Sequence, residues 1–187
     1  MGEQLMNAEE LKKSLAVMAE AMSAMIGNPE EAAIIGIRTR GAVIAQRIHK
    51  ILALEREWML PVGILDITLY RDDLSQLASH PLVRKTQLDF DVTGKLILLI
   101  DDVIYTGRTI RSAIDEIIDF GRPKAIRLGV LVDRGGREYP IQPDYAALTV
   151  QTNADHVVKV MLNEIDSDEK VILTPRPILP PSLDPEI

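Results

Sequence analysis

The sequence has 187 residues, 47% of them hydrophobic and 4% aromatic, no cysteine, and a formal net charge of −7, with a pI near 5.0. That length suits one domain with a full core, and the missing cysteine excludes disulfides, thiolate catalysis and cysteine-ligated metal. No apolar run reaches membrane-spanning length and the start, MGEQLMNAEELKK, lacks a signal-peptide core, so the cytoplasm is the expected compartment; the acidic total lowers the expectation of a nucleic-acid partner, although a local basic patch can coexist with it.

Asn7 followed by Glu10 makes a capping box for a first helix, and Leu11, Leu15, Met18, Met22 and Met25 recur at its spacing. This stripe reads as core or subunit contact. Gly27-Asn28-Pro29 ends it. Ala32 to Ile37 is an apolar run of strand length, followed by the turn Arg38-Thr39-Arg40-Gly41 and a helix carrying Ile44, Ile48, Ile51 and Leu52. A basic turn between strand and helix either exposes successive N–H groups to an anion or is an ordinary turn with solvated arginines. Trp58 closes the helix and is expected to pack on the next strand, Val62 to Ile67. Asp66 in that strand either faces polar surroundings or pairs with a buried cation.

Residues 68–90 hold no clean period. So long a connection reads as a lid or a protruding hairpin, in which Arg71, Arg84 and Lys85 could reach an anion or form a solvated face. Asp91-Val92-Thr93-Gly94 is a turn. Then comes the most informative stretch, Leu96 to Ile118: an apolar strand, two adjacent aspartates, the turn Tyr105-Thr106-Gly107-Arg108-Thr109, and an amphipathic helix with Ile110, Ala113, Ile114, Ile117 and Ile118. Gly121 caps the helix and Pro123 blocks its continuation. Ala125 to Val132 is the next strand, and Asp133-Arg134-Gly135-Gly136-Arg137-Glu138 a second glycine-rich loop. Short strands are predicted near 146–150, 157–162 and 171–173, then a proline-rich tail over 174–187.

The order of elements predicts an α/β fold, a central parallel sheet flanked by helices. Sites in such sheets lie beyond the C-terminal strand ends, where the turns at Thr39, Asp101 and Asp133 fall. Asp101 and Asp102 can accept hydrogen bonds from sugar hydroxyls or hold Mg²⁺ directly or through water. The N–H groups and hydroxyls of Thr106 to Thr109 form an anion cup at a helix start. A sugar phosphate fits both. The spacing is neither a Walker A loop nor a dinucleotide fingerprint; a response-regulator acidic pair would need no such cup.

LLIDDVIYTGRTI, Leu98 to Ile110, resembles the phosphoribosyl-pyrophosphate motif of the type I phosphoribosyltransferases. GIRTRG at 36–41, ILDITLYRDD at 64–73, FDVTGK at 90–95, FGRPKAI at 120–126 and LVDRGGREYPI at 131–141 narrow the resemblance to the PyrR family, pyrimidine operon attenuation proteins with uracil phosphoribosyltransferase activity. It spans roughly residues 8 to 173 and implies a single domain over 1–173. That domain would have the type I phosphoribosyltransferase fold, a flexible lid at about 68–90 and a small hood at about 132–145. The implied reaction converts uracil and 5-phosphoribosyl 1-diphosphate to UMP and diphosphate, with Mg²⁺ near Asp101 and Asp102. Asp101 and Asp102 would meet the ribose hydroxyls, and Tyr105, Thr106, Gly107, Arg108 and Thr109 the 5-phosphate. Thr39, Arg40 and Gly41 would form the diphosphate loop, with Arg71 reaching the diphosphate from the lid. Val132, Asp133, Arg134 and Arg137 would lie in the hood over the base, which family members read largely through backbone groups. A homodimer or higher oligomer is also implied.

Members of that family bind an RNA leader when charged with uridine nucleotide, using polar and basic groups on the first helix and around the hood loop. Here those positions read Ala16, Val17 and Glu20, then Gly136 where a histidine is usual, Gln142 where an arginine is usual, and Leu148 or a neighbour for a lysine. The expectation is a transferase with weak or absent attenuator activity. The alternatives are a uridine-nucleotide-responsive RNA-binding attenuator of pyrimidine biosynthesis genes, a phosphoribosyltransferase for another base such as a purine or orotate, and a sensor without catalysis.

Overall fold

The structure is a computed structural model and describes residues 2–67, 86–153 and 155–176. Its centre is a five-stranded, all-parallel sheet in the order β3-β2-β4-β5-β6. The strands are β2 (Ala32–Ile37), β3 (Val62–Leu65), β4 (Leu96–Ile104), β5 (Ala125–Asp133) and β6 (Tyr145–Thr149). β2 is buried at every position and β4 from Ile97 to Asp101, which is why both read as unbroken apolar runs: each has helices on both faces.

Helices α1 (Ala8–Ser23) and α2 (Arg40–Arg56) cover one face. α1 opens with the expected capping box, Asn7 Oδ1 accepting from the Glu10 N–H at 2.9 Å and Glu10 Oε2 from the Asn7 N–H at 2.8 Å. Leu11, Leu15, Met18 and Met22 are all buried, each contributing about 1.5–3 kcal/mol relative to exposure. Gly129 on β5 admits them: a Cβ there would lie 2.8 Å from Met18 Cε and 2.9 Å from Met22 Sδ. Trp58 packs against this same cluster with Arg56 over its ring at 5.4 Å. α3 (Arg108–Asp119) covers the other face through Ile110, Ala113 and Ile117.

Two of the short strands expected late in the chain leave the parallel sheet and form a second one with the N-terminal segment. It is three-stranded and antiparallel, in the order β1-β8-β7, from β1 (Glu3–Met6), β7 (His156–Met161) and β8 (Lys170–Pro175). A short helix, α4 (Asn163–Asp166), joins β7 to β8. Residues 134–144, where the hood was expected, connect β5 to β6, and β8 takes in Thr174 and Pro175 from the expected tail. Residues 68–85 and 177–187, and with them Arg71 and most of the expected lid and tail, lie outside the described residues.

Arg47 of α2 fastens the small sheet to the large one. Its guanidinium reaches Glu164 at 2.5 and 3.0 Å and Glu169 at 2.5 and 3.0 Å. These carboxylates hold its pKa above the ordinary arginine value, and burial works against them. Glu169 is mostly buried and Glu164 half-exposed, so truncation leaves one buried charge without its partner. Arg47→Ala is expected to lower the unfolding free energy by about 2 kcal/mol, below the full cost of breaking a buried pair because Glu164 stays solvated. Urea denaturation monitored by circular dichroism checks this.

Candidate functional site

Strands β2, β4 and β5 are neighbours, so the turns leaving their C-terminal ends lie side by side. The first, Arg38 to Gly41, leads into α2. The Arg38–Thr39 peptide is cis. Thr39, at the N-cap, makes no side-chain cap bond. Gly41 lies directly on β4: a Cβ at 41 would come within 2.6 Å of the Ile100 carbonyl oxygen and 3.0 Å of Asp101 Cα. Only glycine lets the helix start approach the aspartate pair so closely.

The second turn follows β4. The strand runs on to Ile104, so the two aspartates sit within it and not at its end. Ile100 and Val103 both pack on the α1/α2 face, whereas Leu99 and Ile104 pack on the α3 face. Strict alternation therefore slips by one residue across Asp101 and Asp102. Asp101 is buried against Gly41 and its Oδ1 accepts the Asp102 N–H at 3.0 Å. Asp102 keeps some solvent contact, yet enough protein surrounds it that burial pushes its carboxyl up; a hydrogen bond with Asp101 and the charge of Arg40 oppose that shift.

Gly107 takes φ +91° and forms the N-cap of α3, where it can offer no side-chain cap. Thr106 Oγ1 accepts the Arg108 N–H at 3.3 Å. The contrast with α1 is informative. The helix remote from these turns has a full capping box, whereas both helices that begin beside the aspartates lack a side-chain N-cap. Apart from the Arg108 N–H, which Thr106 takes, no N-cap side chain claims the first-turn N–H groups, and helix starts of this kind suit an anion.

The third turn follows β5 and locks onto the second. Backbone bonds run from the Arg134 N–H to the Ile104 oxygen at 3.0 Å, and from the Glu138 and Tyr139 N–H groups to the Thr106 oxygen at 2.9 and 3.1 Å. The Arg137 guanidinium donates to the Tyr105 oxygen at 2.9 Å, the Ile141 oxygen at 2.8 Å and Asp133 Oδ2 at 2.7 Å. Arg134 is buried and donates to Thr152 Oγ1 at 3.0 Å and the His156 oxygen at 2.6 Å, with the Tyr105 ring 4.2 Å from its guanidinium carbon. Gly135 and Gly136 both take φ +67°, and a Cβ at 136 would run into the Tyr105 ring.

The structure thus brings Thr39, Arg40, Gly41, Asp101, Asp102 and Tyr105 to Thr109 together along one edge, with Asp133, Arg134 and Arg137 behind them. Arg134, Arg137 and Asp133 are committed to internal bonds, and Val132 is wholly buried in the core. Three residues beside this edge were not among the expected site residues. Asp166 of α4 takes Arg40 at 2.7 Å across 126 positions of chain. Glu138 pairs with Arg108 at 2.6 Å, and Tyr139 lies under both Arg108 and Arg111. Nothing in local spacing announces such contacts, although Tyr139 is one of few aromatic residues.

A family model described as a phosphoribosyl transferase domain matches residues 3–166. A protein of Thermus aquaticus called bifunctional protein PyrR is 48% identical over 170 residues, covering 91% of this chain and 94% of that one. Its counterpart in Thermoanaerobacter sp. (strain X514) is 46% identical, covering 91% and 96%. The chain belongs to the PyrR family. Among solved structures, a hypoxanthine phosphoribosyltransferase of Staphylococcus aureus matches with a TM-score of 0.65 at 17% identity, covering 94% of this chain and 93% of that one. One from Trypanosoma cruzi matches with a TM-score of 0.68 at 18% identity, covering 93% and 91%. At that identity they show the fold alone, and the fold is that of the type I phosphoribosyltransferases. No helix among the described residues is long and apolar enough to cross a membrane.

Proposed function

We propose that this PyrR-family chain transfers a phosphoribosyl group from 5-phosphoribosyl 1-diphosphate to uracil, giving UMP and diphosphate. The observation that carries this reading is the pair of helix starts, neither held by a bond from its N-cap side chain, that flank Asp101 and Asp102. A ligand with a phosphate at one end, a diphosphate at the other and ribose hydroxyls between has a partner for each group. The start of α3 takes the 5-phosphate and the start of α2 the diphosphate. The carboxylates accept from the hydroxyls, which offsets the burial that raises Asp102.

Asp101 and Asp102 also offer hard oxygen ligands that suit Mg²⁺. Among the described residues no three or more acidic or histidine side chains converge, so the ion's remaining ligands would come from substrate and water, as is usual for Mg²⁺. When bound, it supplies positive charge against the leaving diphosphate. The protein's own part is electrostatic and positional: backbone donors oppose the developing negative charge, and no side chain need become a covalent nucleophile.

Diphosphate release measured with uracil, hypoxanthine, guanine and orotate in turn tests the base. Uracil is expected to be strongly preferred. Turnover with another base reassigns the specificity, and failure with all four leaves a ligand sensor.

A second reading, a uridine-nucleotide-responsive RNA-binding attenuator, is favoured by the relatives themselves, which are called bifunctional and align over nearly their full length. Against it stand exposed Val17 and Glu20 on α1, and Gly136 and Gln142. Binding to the chain's own operon leader RNA, with and without UMP at fixed salt, separates the two. Tightening by UMP of tenfold or more supports the attenuator, and binding that is weak (on the order of 10⁻⁴–10⁻⁶ M) and indifferent to UMP removes it.

A further inference from the structure

Glu116 is a carboxylate on the apolar face of α3, between Ala113 and Ile117, and is only 7% exposed. Its Oε1 accepts the Thr86 hydroxyl at 2.5 Å, while its Oε2 is buried without a partner among the described residues. Burial pushes this carboxyl up, as do the nearby charges of Asp66 and Asp119, against the pull of the Thr86 bond. An apolar residue would fit the surroundings better, since a buried polar group with an unmade bond costs on the order of 1–3 kcal/mol. Stability alone gives no reason for a carboxylate here.

What the carboxylate does is orient a hydroxyl. A hydroxyl has one proton to donate and can accept as well. Thr86 gives its proton to Glu116 and accepts the Asp66 N–H at 3.1 Å. Asp66 follows β3, and its carboxylate lies 3.8 Å from Arg38 Nε. Arg38 also donates its N–H to the Leu65 oxygen at 2.9 Å, and it is the first residue of the turn that opens α2. The series Glu116, Thr86, Asp66, Arg38 thus ties the helix that begins at one anion cup to the turn that forms the other.

We propose that Glu116 and Thr86 are positioning residues that set the spacing between the two anion cups, and so govern affinity for the phosphoribosyl donor and not for the base. This rests on the transferase reading above. A ligand anchored at both ends feels a change in that spacing, whereas a base held near the third turn does not.

Three variants test it: Thr86→Val, Thr86→Ser and Glu116→Leu. Each is measured for donor Kd by calorimetry with 5-phosphoribosyl 1-diphosphate, for the two KM values, and for melting temperature. Thr86→Val is expected to weaken donor binding roughly five- to twentyfold, the loss of one or two oriented hydrogen bonds, with the uracil KM unchanged within about twofold. Thr86→Ser keeps the hydroxyl and is expected to match the unaltered chain. Glu116→Leu is expected to raise the melting temperature and still weaken donor binding, a combination that a merely structural residue would not give. It also reports if Thr86→Val fails to fold. Unchanged donor affinity in Thr86→Val or in a folded Glu116→Leu overturns the proposal, as does equal loss of donor and uracil affinity. If the unaltered chain binds donor but transfers to no base, the transferase reading fails while the proposal stands on the calorimetry; if it binds no donor, both fall.

Discussion

Asp102→Asn is expected to abolish most turnover while leaving the fold intact. Asparagine has the same shape and keeps one acceptor, so the packing around Gly41 and the strand slip at the pair persist. On the transferase reading it loses negative charge where ribose hydroxyls would donate and where positive charge would develop as diphosphate departs. Removing one such preorganised electrostatic contact typically costs ~10²–10³ in kcat, and a fall of that size is expected here in diphosphate release. The stability effect has the opposite sign. In the ligand-free, metal-free protein burial raises the Asp102 carboxyl above its unfolded value, so the ionised form is penalised in the fold. That penalty is absent below the unfolded carboxyl pKa of ~3.9, grows as pH rises toward the folded pKa, and is complete above it. Asp102→Asn is therefore expected to melt at or above the wild-type temperature near neutral pH, with the difference vanishing in acid. Calorimetric scans across pH check this. Near-normal turnover in the variant would remove the aspartate pair from the reaction.

Gly41→Val is expected to damage stability and activity together. The added Cβ would meet backbone, the Ile100 oxygen at 2.6 Å and Asp101 Cα at 3.0 Å, and neither can swing aside as a side-chain tip could. The start of α2 must lift from β4. Overpacking of this kind costs ~1–3 kcal/mol, and the upper end is expected because both sides of the contact are main chain. For a chain of this size that is roughly 6–12 °C in Tm at ~2–4 °C per kcal/mol. Donor binding should weaken in the same variant, because the N–H groups of the α2 start move with the helix. A melting curve and a donor titration on one sample report both. Gly94, where a Cβ would meet nothing within 4 Å, supplies the contrast: Gly94→Ala tests only its φ of +75° and is expected to leave donor binding alone.

The parts of the molecule that the sequence states plainly are those whose cause is local. A buried parallel strand is apolar throughout, and β2 and β4 show it. A helix start with a capping box is legible in sequence, and Asn7 with Glu10 shows it. Arg38 beside Asp66 bears out the buried-cation alternative for that aspartate. The parts that stayed hidden have causes far away in the chain. β1 is four residues, EQLM, with no apolar run, and is a strand only because β8 lies beside it. Short strands were legible near 157–162 and 171–173, yet their spacing does not say that they leave the parallel sheet and pair with one another. The internal bonds of Asp133, Arg134 and Arg137 show the same limit: the composition of a charged glycine-rich loop does not say that Arg137 reaches the Tyr105 oxygen or that Arg134 reaches Thr152 and His156.

The pairing of β1 with β8 bears on how the protein is made. Glu3 faces Leu173 and Met6 faces Val171, so β1 cannot pair until β8, some 170 residues later in the chain, has been made. Until then the backbone edge of β1 stays open in a nascent chain, a state prone to association. The same late segment carries Asp166 to Arg40 and Glu164 and Glu169 to Arg47. Without the segment from residue 156 on, both arginines would lack these carboxylates, so the surroundings of the turn at Arg38–Gly41 are completed only when this late segment folds onto α2.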